Sequence, residues 1–296
     1  MLNFIPISLE HRQLIHQNMY TANGYGCEYS FANLFLWGDQ RMALYDGTPV
    51  FLTRYGKWYS YLLPQCTNRL AVLEVLREDA HERKIPFRIF GLKPTDQDAL
   101  DTAFPGVFRF RSLRDSYDYV YDIVRLTELH GKKLQAKRNH CNHFEQTYPD
   151  YRVIPLNSET LPLCRRFTEH WYEEHLAMHP YVDMTEEQIA IGKAFDCFDR
   201  LHMEGIAIDT SDGIVAFSMG NRIREDTFGV NFEKALPEIN GAYPIVNREF
   251  AKRIHARYPE IRFLNREDDM GIEGLRKAKE SYYPDTLLEK LTAEER

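Results

Sequence analysis

The stretch Phe263-Leu-Asn-Arg-Glu-Asp-Asp-Met-Gly-Ile-Glu-Gly-Leu-Arg-Lys-Ala-Lys-Glu-Ser-Tyr-Tyr-Pro284 holds the residue types best suited to chemistry. A short apolar strand runs into a polar cluster, and the cluster opens a basic helix. Asn265, Arg266, Glu267, Asp268 and Asp269 fall where the strand ends, which is where α/β sheets usually bind ligands. An Asn–Arg pair there can orient the acceptor or the donor in a transfer reaction. Asp268 and Asp269 have two readings. They can cap free N–H groups and oppose the dipole at the helix start, or they can bind an ammonium group or take a proton. Capping does not account for Asn265 and Arg266, which are the stronger site candidates. Arg276, Lys277 and Lys279 on the helix can meet phosphates or simply decorate its surface.

A second candidate is His130-Gly-Lys-Lys-Leu-Gln-Ala-Lys-Arg-Asn-His-Cys-Asn-His143, a basic run that no acid interrupts. As a helix it places Leu134, Cys141, Phe144 and Tyr148 on one apolar stripe. Lys133, His140 and His143 lie beside the stripe, while Arg138 and Lys132 point elsewhere. Lys137 falls on the stripe itself. It can snorkel, with its stem packed and its ammonium in water, or reach a cleft and meet a phosphate or carboxylate. The whole run is either a solvated basic face or a phosphate-facing wall made of Lys133, Lys137, Arg138 and His140.

Other chemistries find little support. The five cysteines (Cys27, Cys66, Cys141, Cys164, Cys197) are scattered and never form Cys-x-x-Cys, so neither a disulfide framework nor a metal site is expected. No cysteine has an evident basic partner. His175 and His179 share a helix face at i,i+4, but His-Glu-x-x-His is absent and no third ligand stands out, so no metal is expected. Ser218 lies outside any Gly-x-Ser-x-Gly elbow. No nucleotide-binding glycine pattern occurs. The stretch Leu236-Pro-Glu-Ile-Asn-Gly-Ala-Tyr243 occupies the place of a pyrophosphate loop. Pro237 removes a donor there and Glu238 repels phosphate, so Gly241 reads as a glycine that starts a helix and no cofactor is expected.

The elements that must position these residues follow from periodicity. The chain has 296 residues, 44% hydrophobic and 27% charged, enough for one large domain or two ordinary ones. A net charge of −7 and a pI near 5.9 argue against a broadly basic nucleic-acid binder but leave room for a local basic groove. Mean hydropathy is −0.49. No window is apolar enough to span a bilayer and no leader pattern opens the chain, so a cytoplasmic location is expected. A hairpin is predicted at Asp46-Gly47 and another at Asp212-Gly213. The first is followed by a strand (57–63), a helix (68–84), a strand from Phe87, a helix (95–103) and a strand (108–124). Helices at 160–178 and 186–201 precede the second hairpin, and then come a strand (227–232), helix (243–257), strand (261–264), helix (271–280) and last strand (286–291). Aromatic rows at 55–61 and 117–121 alternate at period two and read as core-facing strands. The order helix, helix, hairpin, strand, helix, strand, helix, strand occurs twice. It predicts an α/β (α+β) chain with two tandem acyltransferase-like domains of the GNAT type, 1–125 and 126–296, each a mixed sheet flanked by helices, the second including the basic connecting helix.

Three motifs together carry a family resemblance: Glu28-Tyr-Ser-Phe-Ala-Asn-Leu-Phe-Leu-Trp37, Lys132-Lys-Leu-Gln-Ala-Lys-Arg-Asn-His140, and Asn265-Arg-Glu-Asp-Asp-Met-Gly-Ile-Glu-Gly-Leu-Arg-Lys-Ala-Lys279. Over essentially its whole length the chain resembles the cytosolic C-terminal domain of the phosphatidylglycerol lysyltransferases (lysylphosphatidylglycerol synthases). The resemblance implies tandem GNAT-like halves. It also implies aminoacyl transfer from aminoacyl-tRNA to a lipid headgroup or a small amine or hydroxyl acceptor, with room for peripheral membrane contact. In that setting the basic run would face a tRNA acceptor end or a lipid headgroup, Asn265 and Arg266 would orient acceptor or donor, and Asp268 or Asp269 would handle the ammonium or a proton. An acyl-CoA-dependent N-acetyltransferase and a non-catalytic binding module on the same fold are the alternatives.

Overall fold

The structure, a computed structural model, describes residues 1–21, 26–55, 57–178, 181 and 183–296. In chain order the elements are β1 (Ile5–Pro6), α1 (Arg12–Thr21), α2 (Phe31–Leu36), β2 (Asp39–Tyr45), β3 (Thr48–Tyr55), β4 (Trp58–Leu62), α3 (Arg69–Arg83), β5 (Arg88–Leu92), α4 (Pro94–Ala103), β6 (Phe108–Ser112), β7 (Asp118–Asp122), α5 (Ile123–Glu128), α6 (Gln135–Thr147), β8 (Arg152–Pro155), α7 (Leu161–Met178), α8 (Thr185–Asp196), β9 (Glu204–Thr210), β10 (Gly213–Arg222), β11 (Thr227–Ala235), α9 (Ala242–Arg257), β12 (Phe263–Asn265), α10 (Glu273–Glu280), β13 (Thr286–Leu288) and β14 (Leu291–Glu295). The chain divides into two compact units, one comprising Met1–Asp118, Asp268–Glu273 and Leu287–Arg296, the other Tyr119–Glu267 and Gly274–Thr286. These units differ from the expected halves 1–125 and 126–296 because the C-terminal strand belongs to the first unit's sheet.

The first unit is built on a seven-stranded sheet of order β1-β2-β3-β4-β5-β14-β6. The β2–β3 hairpin turns at Asp46-Gly47, both with positive φ (48° and 73°), as a two-residue turn matched to strand twist requires. Strands β4 and β5 run parallel, joined by α3. That helix turns Val72, Leu73, Leu76 and Ala80 onto Tyr61, Ile89, Leu92, Leu291 and Ala293. Strand β14 lies antiparallel between β5 and β6, Ala293 facing Ile89 on one side and Phe110 on the other.

The second unit carries the sheet ordered β13-β7-β12-β11-β10-β9-β8. Strands β11 and β12 are parallel, with α9 as their crossover. Ala242, Ile245, Val246, Phe250, Ala251 and Ile254 form the stripe by which α9 packs on the sheet, and Leu134, Cys141 and Phe144 enter the same core from the α6 segment. Tyr119 and Tyr121 of β7 are fully buried. The predicted strand 108–124 is two strands in different sheets, β6 and β7, separated by a 3-10 turn at Arg114–Ser116. The predicted last strand 286–291 likewise splits into β13 and β14, and β8 was not anticipated. Each sheet is mixed and flanked by helices. Among the described residues no helix is long and apolar enough to cross a membrane.

Candidate active site

In the second unit the parallel strands β11 and β12 part at the end of β12. The last register pair between β11 and β12 is Gly229 with Asn265. Beyond it β11 runs on to Ala235, while the chain after Asn265 turns along β7, with Arg266 N–H on Tyr119 O at 2.9 Å and Tyr119 N–H on Glu267 O at 3.1 Å. Side chains span the gap that opens. Arg266 Nη2 donates to Glu233 Oε1 at 2.7 Å, and Asn231 Nδ2 donates to Glu267 Oε1 at 3.0 Å. Asn231 and Glu233 are two apart on β11 and so share a face. Asn247 of α9 completes the group, its Nδ2 donating to Glu233 Oε2 at 3.1 Å. Glu267 sits at φ 57°, and Asn265 Oδ1 holds that turn by accepting the Glu267 N–H at 2.8 Å. Asn265 therefore shapes the turn that aims Arg266.

The Arg266 guanidinium lies over the rings of Tyr282 (5.0 Å to the centroid) and Tyr121 (5.7 Å). Burial pushes both phenols up, so they stay neutral. The buried polar atoms here that make no hydrogen bond include Arg266 Nη1, a donor, and Asn247 Oδ1, an acceptor. A buried donor left open costs roughly 1–3 kcal/mol, which a bound acceptor would recover. Lys137 of α6 places its ammonium 4.2 Å from the Tyr282 centroid. Burial, and then the Arg266 charge, hold this lysine below its usual range. The sequence alternatives for Lys137 thus meet: its stem is on the stripe, and its amine stands beside Arg266.

The remaining basic residues have varied employment. Arg138 donates to the carbonyls of Leu129 and of Gly131, the latter at 2.9 Å, and so closes the C-terminal end of α5. Lys133 lies over the Tyr283 ring at 5.2 Å. His140 Nδ1 pairs with Asn240 Oδ1 at 2.7 Å. Arg276 is half-buried and Lys277 exposed on α10. Lys279 is buried, its Nζ donating to Arg266 O at 2.6 Å, which adds a cation to the turn. Gly241 is the N-cap of α9 at φ 92°, and a Cβ on it would stand 2.3 Å from His140 O. The start of α9 is therefore packed against α6, as expected for a glycine that begins a helix. His179 lies outside the described residues.

Asp268 and Asp269 belong to the first unit. Asp269 is fully buried; Arg114 Nη1 donates to its Oδ2 at 3.2 Å and Gly271 N–H to its Oδ1 at 2.9 Å. Helix α10 starts only at Glu273, so Asp269 fixes the preceding turn and is not the helix cap. The half-buried Asp268 adds its charge to the field at Lys290. That lysine is the centre of a cluster the sequence did not reveal. Its Nζ stands 2.6 Å from Glu28 Oε2, 2.6 Å from Asp118 Oδ1 and 3.6 Å from Cys27 Sγ. Ligand atoms of Cys27, Glu28 and Asp118 lie within 4.8 Å of one another, and the lysine ammonium is the cation among them. Cys27 thus has a basic partner after all. It is 263 residues away in sequence, which no local pattern can disclose.

Comparison with known proteins decides the family. Residues 21–294 match the family "Phosphatidylglycerol lysyltransferase, C-terminal". The chain belongs to this family. Among similar structures, a conserved protein of unknown function from Bacteroides thetaiotaomicron VPI-5482 is 37% identical, with full coverage of both chains and a TM-score of 0.92. The L-PGS structure from Bacillus licheniformis is 17% identical, covering 98% of this chain and 92% of that one, with a TM-score of 0.67. A tandem GNAT protein from the clavulanic acid biosynthesis pathway is 10% identical, covering 99% and 98%, with a TM-score of 0.51. These last two likenesses are of fold, and the fold is GNAT-like. An uncharacterized protein of Mycoplasmoides gallisepticum is 26% identical over 184 residues, so the match spans 55% of that relative's length.

Proposed function

We propose that this chain moves an aminoacyl group from aminoacyl-tRNA to a lipid headgroup or a small amine or hydroxyl acceptor. The observation that carries the reading is the open, buried Nη1 of Arg266 where β11 and β12 part. An aminoacyl ester is already activated, so the protein must orient it, stabilise the oxyanion that forms when the acceptor attacks, and give the proton a route. In this reading Arg266 Nη1 donates to the oxyanion. Glu233 and Asn247 hold the guanidinium, and Asn265 sets the turn that presents it. Lys137, biased toward the neutral amine by burial and by Arg266, takes the proton from the attacking group. Lys133, Arg276 and Lys277 supply positive charge for donor phosphates and His140 a ring N–H, while Asp268 and Asp269 shape the first unit's turn. A coenzyme A donor is less well supported, because the start of α9 is packed against α6 at Gly241.

The test follows label from charged tRNA into a lipid-plus-metabolite extract. Transfer to a lipid or small acceptor is expected, with Arg266→Lys lowering the rate about 100-fold or more while the fold persists. Asn247→Ala, which leaves Arg266 in place, should lower it less. Label that stays on tRNA under sound controls would overturn the reading.

A further inference from the structure

On one face of the first unit's sheet an aromatic ring and three arginines converge. Trp58 on β4 is 63% exposed. Arg88 on β5 lies over its indole, 4.4 Å from the ring centroid, which leaves the opposite ring face toward solvent. The register then carries the row outward. Glu294 on β14 stands opposite Arg88 and, on its other side, opposite Arg109 of β6, while Thr292 faces Arg111. Arg88 Nη2 is bound to Glu294 Oε1 at 3.0 Å, so one of the three positive charges is answered. Arg109 and Arg111 are exposed, and among the described residues their guanidinium groups have no hydrogen-bond partner. Two apart on one strand, they share this face about 7 Å from each other. A local surplus of positive charge beside an open indole stands out on a chain of net charge −7.

We propose that this face is a docking platform for single-stranded RNA, with a base stacked on Trp58 and successive phosphates at Arg109 and Arg111. The inference rests on the RNA-borne donor proposed above. Stacking on an aromatic side chain and backbone tracking by arginines together fit an unpaired strand, whose bases are free to leave their neighbours. The platform residues belong to the first unit and Arg266 to the second.

The test is fluorescence anisotropy of a short, labelled, uncharged single-stranded oligoribonucleotide titrated with the full chain at several salt concentrations. With Arg109 and Arg111 engaged, log affinity should fall with log salt at a slope of about −1.4. Arg109→Ala with Arg111→Ala should weaken binding at least tenfold at low salt and reduce that slope by about 1.4. Trp58→Ala should weaken binding about 5- to 100-fold with the slope unchanged, and Trp58→Phe should restore most of it. All these positions are exposed or edge-facing, and unchanged thermal melts confirm folding. No saturable binding, or binding that every variant retains, overturns the platform. So does loss of sedimentation with phosphatidylglycerol vesicles in the arginine variant while RNA affinity holds, because the face would then belong to a membrane. Since the probe carries no aminoacyl group, RNA binding without transfer sinks only the enzymatic reading, and transfer without Trp58-dependent binding sinks only the platform.

Discussion

At the scale of single residues, the most telling side chain is one whose placement costs stability. Lys137 puts an ammonium on an apolar helix stripe, near another cation, with an aromatic face as its contact. A methionine would fill the same space without the charge. Lys137→Met is therefore expected to stabilise the fold by up to about 1 kcal/mol, a modest figure because the half-buried amine is partly screened by solvent. The same change should lower aminoacyl transfer. The sign follows from linkage: a lysine held below its usual range in the folded state disfavours folding while it is charged, at neutral pH, and removal of the charge relieves that cost. Paired thermal melts and transfer rates check it. A variant that melts earlier and transfers normally would make Lys137 a packing residue. Stability and activity moving in opposite directions is what a functional site predicts. Only part of this site was readable beforehand. Asn265 and Arg266 could be singled out because their position at a strand end is a local pattern. Glu233 and Asn247 could not, since an ordinary strand glutamate and helix asparagine acquire meaning only when β11, α9 and the turn after β12 come together.

At the scale of elements, the contact between α6 and α9 decides how Lys137 is presented. Gly241 caps α9 in the left-handed region, and the His140 carbonyl lies where a side chain would begin. Gly241→Ala must meet both a strained φ and a backbone clash, so it should cost roughly 2–3 kcal/mol or more. For a unit of this size that is a fall in Tm of about 4–12 °C. Hydrogen exchange should localise the loosening to α6 and the first turn of α9. Exchange unchanged in α6, with Tm preserved, would show that the two helices can part without consequence. The periodicities that predicted α3, α7 and α9 were reliable because each buries one apolar stripe. The hairpins were legible from Asp-Gly. What misled was continuity: residues 108–124 alternate as one strand, yet the 3-10 turn at Arg114–Ser116 divides them between sheets. A strand's own pattern specifies which face is buried and is silent about its partner.

At the scale of the whole molecule, connectivity matters more than any local pattern. The C-terminal strand β14 lies inside the first unit's sheet, hydrogen-bonded to β5 and β6 on its two sides, although nearly the entire chain separates it from β1. The first unit therefore cannot complete its sheet until residues 291–295 exist. Contacts of such sequence separation carry a loop-closure cost that slows folding. Removing residues 291–296 while keeping Lys290 isolates the effect of the strand from that of the ion cluster. The truncated chain loses the buried Leu291 and Ala293, worth about 2–5 kcal/mol for the leucine alone. It also loses two hydrogen-bonded ladders at roughly 1 kcal/mol per bond. That sum is comparable with the whole stability of an ordinary domain, about 5–15 kcal/mol. The expected outcome is loss of the first unit's cooperative unfolding transition. Its newly opened β5 and β6 edges should also promote aggregation. A synthetic peptide of residues 290–296 added in excess should restore protection from proteolysis, since it binds only the folded form. A truncated chain that still melts cooperatively within a few degrees of the intact protein would mean that β5 and β6 can close on each other, and that the last strand lies within the sheet without being needed to hold it.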